Sequence, residues 1–413
     1  MFCSFILEEK KWTIYACVAL WLFIALFVLL LQRRRNRPSA ACVALGLFIA
    51  LFVLQFVNYD WNILNFHLFS DGEPHMEFRG PIKPFTDKYN IGPPPVAKNL
   101  PYSTLKPRPW EMKGDTSNDY IHPPRVTEVH LRIMVITYNR AESMLRLLKS
   151  LNNVDYLDDR VVLEIWVDRS KDGIIDKKTF ATARNFSFEK GFKTVHQQDK
   201  HVGIYGQWID TWQPTADSKE IAVIFEDDIT VSPFFYRYLK KVHARYDNRP
   251  EINGYSLQGI SIKHGGAGGN LHAPNENVVF LYPIVGSWGF SPKKENWIGF
   301  QRWFAEARKN TSFQPYVPGI LPTGWYKTFL KQGKTDSMWT MWHIFYAYSK
   351  KEWTLYPNFP KNAGMTINWK EKGLHFAKTL KNTDPLVMEW DTRLDNLPEE
   401  PIHLDANGKI VKH

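Results

Sequence analysis

The sequence predicts an α/β fold: a mainly parallel β-sheet with helices on both faces, set behind an N-terminal membrane anchor and a proline-rich stem. Three observations carry this. From Leu131 onward, apolar runs of strand length alternate with segments of helical periodicity, the pattern of βαβ units. Near the start, two uncharged apolar stretches are each long enough to cross a bilayer, which takes about 20 residues. Between these parts the periodicity disappears and prolines accumulate.

The anchor is read over 1–58. Trp12 to Gln32 holds 21 residues without a charge, and Pro38 to Tyr59 holds 22. A cleaved signal peptide has a shorter apolar core, about 7–15 residues, so these stretches read as spans. They repeat one another. Ala16 to Leu29 matches Ala41 to Leu54 at 13 of 14 positions with an offset of 25, which marks a local duplication. The cluster Arg33-Arg34-Arg35-Asn36-Arg37 lies between them, and positive residues beside a span stay in the cytosol. One span or a hairpin of two leaves the C-terminal part lumenal; the number of spans stays open. The stem follows over 59–127, with Pro81, Pro84, Pro93, Pro94, Pro95, Pro101, Pro107, Pro109, Pro123 and Pro124 favouring extended, semi-rigid chain. A globular domain is expected over 128–395 and a C-terminal tail over 396–413.

A chain of 413 residues has room for such a domain, whose usual size in this class is about 250–280 residues. The net charge is +10, of which +4 lies in the first 58 residues. The mildly basic remainder suits a small anionic ligand. With no arginine-rich run after Arg37, nucleic acid is excluded as a partner. All three cysteines, Cys3, Cys17 and Cys42, precede the stem, so the globular domain contains no disulfide, a count against a lumenal setting. Of 16 tryptophans, eight lie between Trp288 and Trp369, as core material or as faces on which sugar rings could stack.

The elements follow in order. Leu131 to Tyr138 is a continuous apolar strand and Ala141 to Leu151 an amphipathic helix. Val161 to Val167 is a strand, Lys177 to Glu189 a helix, Lys193 to His196 a short strand and Ile204 to Trp212 a helix. Ile221 to Phe225 is a buried strand ending in Glu226-Asp227-Asp228. Pro233 to Tyr246 is a helix with Ser232 as N-cap and Pro233 at its first position. In such sheets ligands sit beyond the carboxyl ends of the strands. Three polar clusters fall at three such ends: Thr137-Tyr138-Asn139-Arg140, Asp168-Arg169-Ser170-Lys171-Asp172-Gly173, and the acidic triplet.

Three carboxylates in a row repel one another and require protonation or a counter-ion. A hard divalent cation, Mn²⁺ or Mg²⁺, suits their oxygens and could bridge two phosphates of a departing nucleoside diphosphate. The plain alternative is an acidic helix N-terminus ahead of Pro233. Asp168 or Asp172 could accept the N3–H of a uracil ring, and Arg140 could neutralise phosphate. The segment His264 to Asn270 is glycine-rich but lacks the Lys-Ser/Thr of a phosphate loop.

The order strand-TYNR, strand-VDRSKDG, strand-FEDD resembles the GT-A (Rossmann-like) glycosyltransferases. Within them, VIFEDDITVSPFFYRYL is similar to the matching segment of the N-acetylglucosaminyltransferase I family; family 2 glycosyltransferases are also similar. The resemblance covers about Leu131 to Tyr246 well and runs more loosely to Lys378. It implies a type II Golgi membrane protein that transfers a sugar, with inversion, from a UDP-linked donor such as UDP-N-acetylglucosamine to a glycan or glycoprotein, with Mn²⁺. It implies Asp228 as metal ligand, Glu226 and Asp227 on the sugar or ribose, Arg140 on the nucleotide, and Asp168 or Asp172 on uracil. Gly286-Ser287-Trp288-Gly289 resembles the segment lining the donor site, and His375 falls where the family often places a histidine near the diphosphate, which implies it as a second metal ligand or a phosphate contact. The family's acidic pair is reduced here to Asp336 in TDSMWTMW, the candidate general base or a cap of the following helix. Two other readings stay open: a cytosol-facing family 2 type transferase, and a non-catalytic sugar-binding module on the same fold.

Overall fold

The computed structural model describes residues 129–259, 271, 273–372 and 384–411. The expected anchor and stem, the segment His264 to Asn270, and His375 lie outside the described residues. Among the described residues no helix is long and apolar enough to cross a membrane.

The chain opens with β1 (Leu131–Thr137), α1 (Ala141–Asn152), β2 (Val161–Val167), α2 (Lys177–Asn185), β3 (Phe192–Gln197), α3 (Gly203–Asp210) and β4 (Ile221–Glu226). These form β3-β2-β1-β4 with every pairing parallel and in continuous register. The period-2 alternation of each strand feeds two cores. Leu131, Ile133 and Val135 pack with Met144, Leu147, Leu148 and Leu151 of α1, spaced i, i+3, i+4, i+7 on one helical face. Met134 and Ile136 point the other way, against Trp208 and Ile209 of α3. Helices therefore cover both faces, as expected.

Helix α2 stops at Asn185, four residues before the expected end. Phe186 turns to extended geometry, and the Lys193 ammonium donates to the carbonyls of Ala183, Arg184 and Phe186, capping the helix end from the next strand.

After β4 come β5 (Ile229–Val231), α4 (Phe235–Tyr246), β6 (Ile252–Ser256), β7 (Val279–Tyr282), β8 (Phe290–Pro292), α5 (Lys294–Ala307), α6 (Leu321–Lys331), α7 (Trp339–Lys350), β9 (Trp353–Pro357), β10 (Thr366–Asn368), β11 (Ile402–Leu404) and β12 (Ile410–Val411). Beyond β4 the sheet becomes mixed, because β8 inserts antiparallel between β4 and β6. Two expectations need correcting. The helix expected from Pro233 begins at Phe235, and Ser232 does not cap it; its Oγ accepts from the Phe234 N–H at 3.1 Å. Between the acidic triplet and this helix, Ile229–Val231 build β5, which pairs antiparallel with β10. The expected tail over 396–413 is part of the sheet within the described residues: β11 pairs parallel with β7, and β12 pairs with β11.

The tryptophans divide. Trp297, Trp303, Trp339 and Trp342 fill the second core, with Trp339 stacked on Trp208 at 4.4 Å. Trp325 is exposed, and Trp288 and Trp369 lie near the acidic triplet's end of the sheet, as described next.

Candidate active site

Strand order decides where the site forms. From β1 the chain moves to β2 and β3, then α3 carries it back across the sheet to β4 on the other side of β1. The carboxyl ends of β1 and β4 therefore diverge at a topological switch point, where open α/β sheets bind ligands. Arg140 follows β1 and the acidic triplet follows β4, so residues 88 apart in sequence meet there.

Asp227 and Asp228 are buried, Glu226 is half-buried, and their oxygens are mostly committed. Thr137 Oγ1 donates to Asp227 Oδ2 at 2.7 Å. Asn368 Nδ2 donates to Asp228 Oδ1 at 2.9 Å, and Trp208 Nε1 donates to Glu226 Oε1 at 3.0 Å. The Arg140 guanidinium spans the pair, one nitrogen on Asp227 Oδ1 and the other 3.0 Å from Asp228 Oδ2. Burial opposes its charge, but Asp227 and Asp228 outweigh burial and hold its pKa above the usual arginine value. Glu226 goes the opposite way. Burial, then the Asp228 charge, pushes its carboxyl up to about 8 against Arg140 and Trp208. Burial raises Asp227 to about 6, with Arg140 opposing. The triplet is not an acidic helix N-terminus, since β5 separates it from α4.

The donor set fits a hard divalent cation. It offers carboxylate oxygens, and one guanidinium leaves Glu226 and Asp227 with carboxyls burial still pushes toward neutrality. Among the described residues no group of three His, Cys, Asp or Glu side chains is arranged to hold a metal ion. A cation here would take one or two carboxylates and complete its shell with water and phosphate oxygens, as Mg²⁺ commonly does.

Trp288 is half-buried, and its loop is pressed against the β4 end. Thr366 Oγ1 donates to the Trp288 carbonyl, and the Trp288 N–H donates to Gln258 Oε1 at 3.0 Å. Gly289 sits at φ +88°, and a Cβ there would lie 2.7 Å from Phe225, the residue before the triplet. Only glycine allows that approach.

Asp168 has a different local task. Its two oxygens accept the N–H groups of Val202 and Gly203 at 3.0 and 2.9 Å, closing the start of α3. His201 Nδ1 lies 3.3 Å from the same carboxylate. Asp172 stands in an exposed turn that Gly173 closes on Ser170. Asp336 is exposed in the α6–α7 connection and does not cap α7, whose N-cap position is Met338 with no side-chain bond. Helix α3 links it to the triplet. Tyr205 donates to the carbonyl of Thr335, the residue before Asp336, and Trp208, one turn on, reaches Glu226.

Asn368 escaped the sequence reading. It lies 140 residues from Asp228 and arrives through the pairing of β10 with β5. The loop after it is tied down: Trp369 donates to the Asp228 carbonyl from its N–H at 2.9 Å and to Thr230 Oγ1 from its ring at 2.8 Å, and Glu371 accepts from Ser143 and Arg146.

No family model matches the chain, and no curated protein matches it. Among solved structures it is similar to TarS of S. aureus, 13% identical over 57% of this chain and 38% of that one, at a TM-score of 0.27. It is also similar to residues 1–349 of TarS, 16% identical over 57% and 62%, TM-score 0.27. A third is the galactosyltransferase LgtC in complex with donor and acceptor sugar analogues, 11% identical over 52% and 70%, TM-score 0.29. The chain spans less than two thirds of the first two. Similarity this low carries no argument about chemistry, which rests on the side chains above.

Proposed function

We propose that this chain is a glycosyltransferase that moves a sugar from a UDP-linked donor to a glycan or glycoprotein acceptor, using Mn²⁺ or Mg²⁺. The observation that supports it is the meeting of Arg140 with Glu226, Asp227 and Asp228 at the switch point of a parallel sheet. A buried carboxylate group beside one guanidinium suits a cation that neutralises a departing diphosphate. Asp228 would hold the cation, Glu226 and Asp227 the sugar or ribose, and Trp288 would line the donor. His375 would add a contact to the diphosphate. Asp168, whose two oxygens also accept the N–H groups of Val202 and Gly203, or Asp172 would contact the uracil ring.

The test is nucleotide release from a panel of UDP- and GDP-sugars, with Mn²⁺ or with chelator. Release from one donor that requires the metal supports the reading. A folded protein that only binds sugar, with no release from any donor in the presence of glycan acceptors, favours a binding module.

Inverting transfer needs a base for the acceptor hydroxyl, and Asp336 is proposed for it. Asp336→Asn is expected to lower kcat about 100-fold with UDP affinity unchanged. Lost UDP binding would show that Asp336 shapes the donor site instead.

The proposed setting is the Golgi lumen, and Asn310 gives it a readout. Asn310 and Ser312 are exposed, and Asn310 Oδ1 accepts from the Ser312 hydroxyl at 2.7 Å and its N–H at 3.1 Å, presenting the Asn310-Thr311-Ser312 sequon on a turn. An endoglycosidase-sensitive mass shift that disappears in Asn310→Gln is expected. Unglycosylated protein from secretory cells, at Asn310 and at Asn185 alike, would put the domain in the cytosol.

A further inference from the structure

We infer that Arg140 is a built-in counter-ion that the divalent cation displaces from the acidic pair, so that cation binding releases the guanidinium to the donor's phosphates. This rests on the metal-dependent reading above and adds an order of events to it.

The argument starts from which oxygens are spoken for. Asp227 Oδ2 is held by Thr137 and Asp228 Oδ1 by Asn368, both neutral donors on strands. That leaves Asp227 Oδ1 and Asp228 Oδ2, and these are the two atoms that Arg140 takes. Among the described residues no other Arg or Lys pairs with this pair of carboxylates. A cation that uses Asp228 Oδ2 must therefore compete with the guanidinium for it. Both cannot stay, since positive charges a few ångströms apart in a poorly solvated site repel strongly.

Burial says which partner moves. The Asp227 and Asp228 side chains are 3% and 8% exposed, while Arg140 is 27% exposed and approaches from the solvent side. The carboxylates are fixed by their strands; the long arginine side chain can swing away. Its bonds run to two different carboxylates, one nitrogen each, so neither is the paired fork that makes Arg–carboxylate contacts strongest. A released guanidinium beside a bound cation is a fitting partner for phosphate oxygens. Cation and nucleotide then assist each other, and linkage makes that assistance reciprocal.

Binding of MnCl₂ to the purified protein, read from the EPR signal of free Mn²⁺ with and without UDP, tests this without turnover. In the native protein UDP should tighten Mn²⁺ binding about tenfold or more, and in Arg140→Met Mn²⁺ alone should bind about tenfold tighter while the effect of UDP shrinks toward none. Arg140→Lys, which keeps the charge on one nitrogen, should fall between, and stands in should Arg140→Met fail to fold. Arg146→Met, a charge on the same helix held by Glu371, should leave Mn²⁺ binding as in the native protein. Unchanged or weaker Mn²⁺ binding in Arg140→Met, with binding still abolished by Asp228→Asn, overturns the exchange and leaves the metal site standing. Mn²⁺ binding that is equal in native protein and Asp228→Asn overturns the metal-dependent reading and this inference with it.

Discussion

Asp228→Asn is expected to reduce metal-dependent nucleotide release at least about 100-fold while the protein stays folded. The substitution is nearly isosteric and removes the charge that would hold the cation. The remaining amide oxygen can still accept from Asn368, and the backbone carbonyl keeps its bond from the Trp369 N–H. What the fold loses is the contact with Arg140, and that loss is partly offset because the like-charge repulsion on Glu226 also falls. The phenotype should therefore appear in kcat and in Mn²⁺ affinity, with the thermal midpoint close to native. Steady-state release of UDP against Mn²⁺ concentration, with a melting curve on the same preparation, checks it. Native activity in Asp228→Asn would end the metal assignment; a collapsed melting curve would make Asp228 a folding residue first.

The second large effect is on stability in acid. His343 on α7 is buried among the rings of Phe290, Trp297, Phe300 and Trp339, at centroid distances of 5.6, 6.0, 5.0 and 6.0 Å. Its Nδ1 is buried without a hydrogen-bond partner. Burial disfavours the imidazolium and depresses the folded pKa to about 3, against 6.5 for an unperturbed histidine. The sign follows from linkage. Above pH 6.5 both folded and unfolded states are neutral at this site, and the stability contribution is fully present. Between pH 6.5 and 3 the unfolded chain takes up a proton that the folded protein refuses, so stability is lost as pH falls. At about 1.4 kcal/mol per pH unit, the loss over that window is about 3–5 kcal/mol, a large part of a typical domain's stability. His343→Phe keeps the aromatic packing and removes the proton site. It should be close to native at pH 7 and more stable than native by about 3 kcal/mol near pH 4. Denaturant unfolding of both proteins across pH 4–7 reads the difference. Parallel curves would mean that acid unfolding proceeds through other groups.

Much of the architecture was legible in the chain because its signals are local. Apolar strands of five to seven residues, the helical spacing of Met144, Leu147, Leu148 and Leu151, and the polar clusters after β1, β2 and β4 are each contained within a dozen residues. The boundaries that shifted depend on distant chain. Helix α2 ends where Lys193 from β3 reaches its carbonyls, and the short strand Ile229–Val231 ahead of α4 forms because β10, more than 100 residues on, pairs with it. The residues after 396 look like a tail because short, half-polar strands carry no periodicity of their own; β7 gives them a partner.

The sequence by itself determined the α/β alternation, the acidic triplet at a strand end, and the placing of Arg140 after the first strand, since strand and turn chemistry are set by neighbouring residues. Tertiary structure alone decided which oxygens face which partners. Thr137, Arg140 and Asn368 converge on Asp227 and Asp228 only once β1 lies beside β4 and β10 pairs with β5. It also gave Asp168 to the start of α3 rather than to open space, and gave four of the eight clustered tryptophans to the second core. The physical reason is range. Backbone preference and hydrophobic period act over a few residues, whereas hydrogen-bond partnership and burial depend on which segments the sheet brings within about 3 Å of each other.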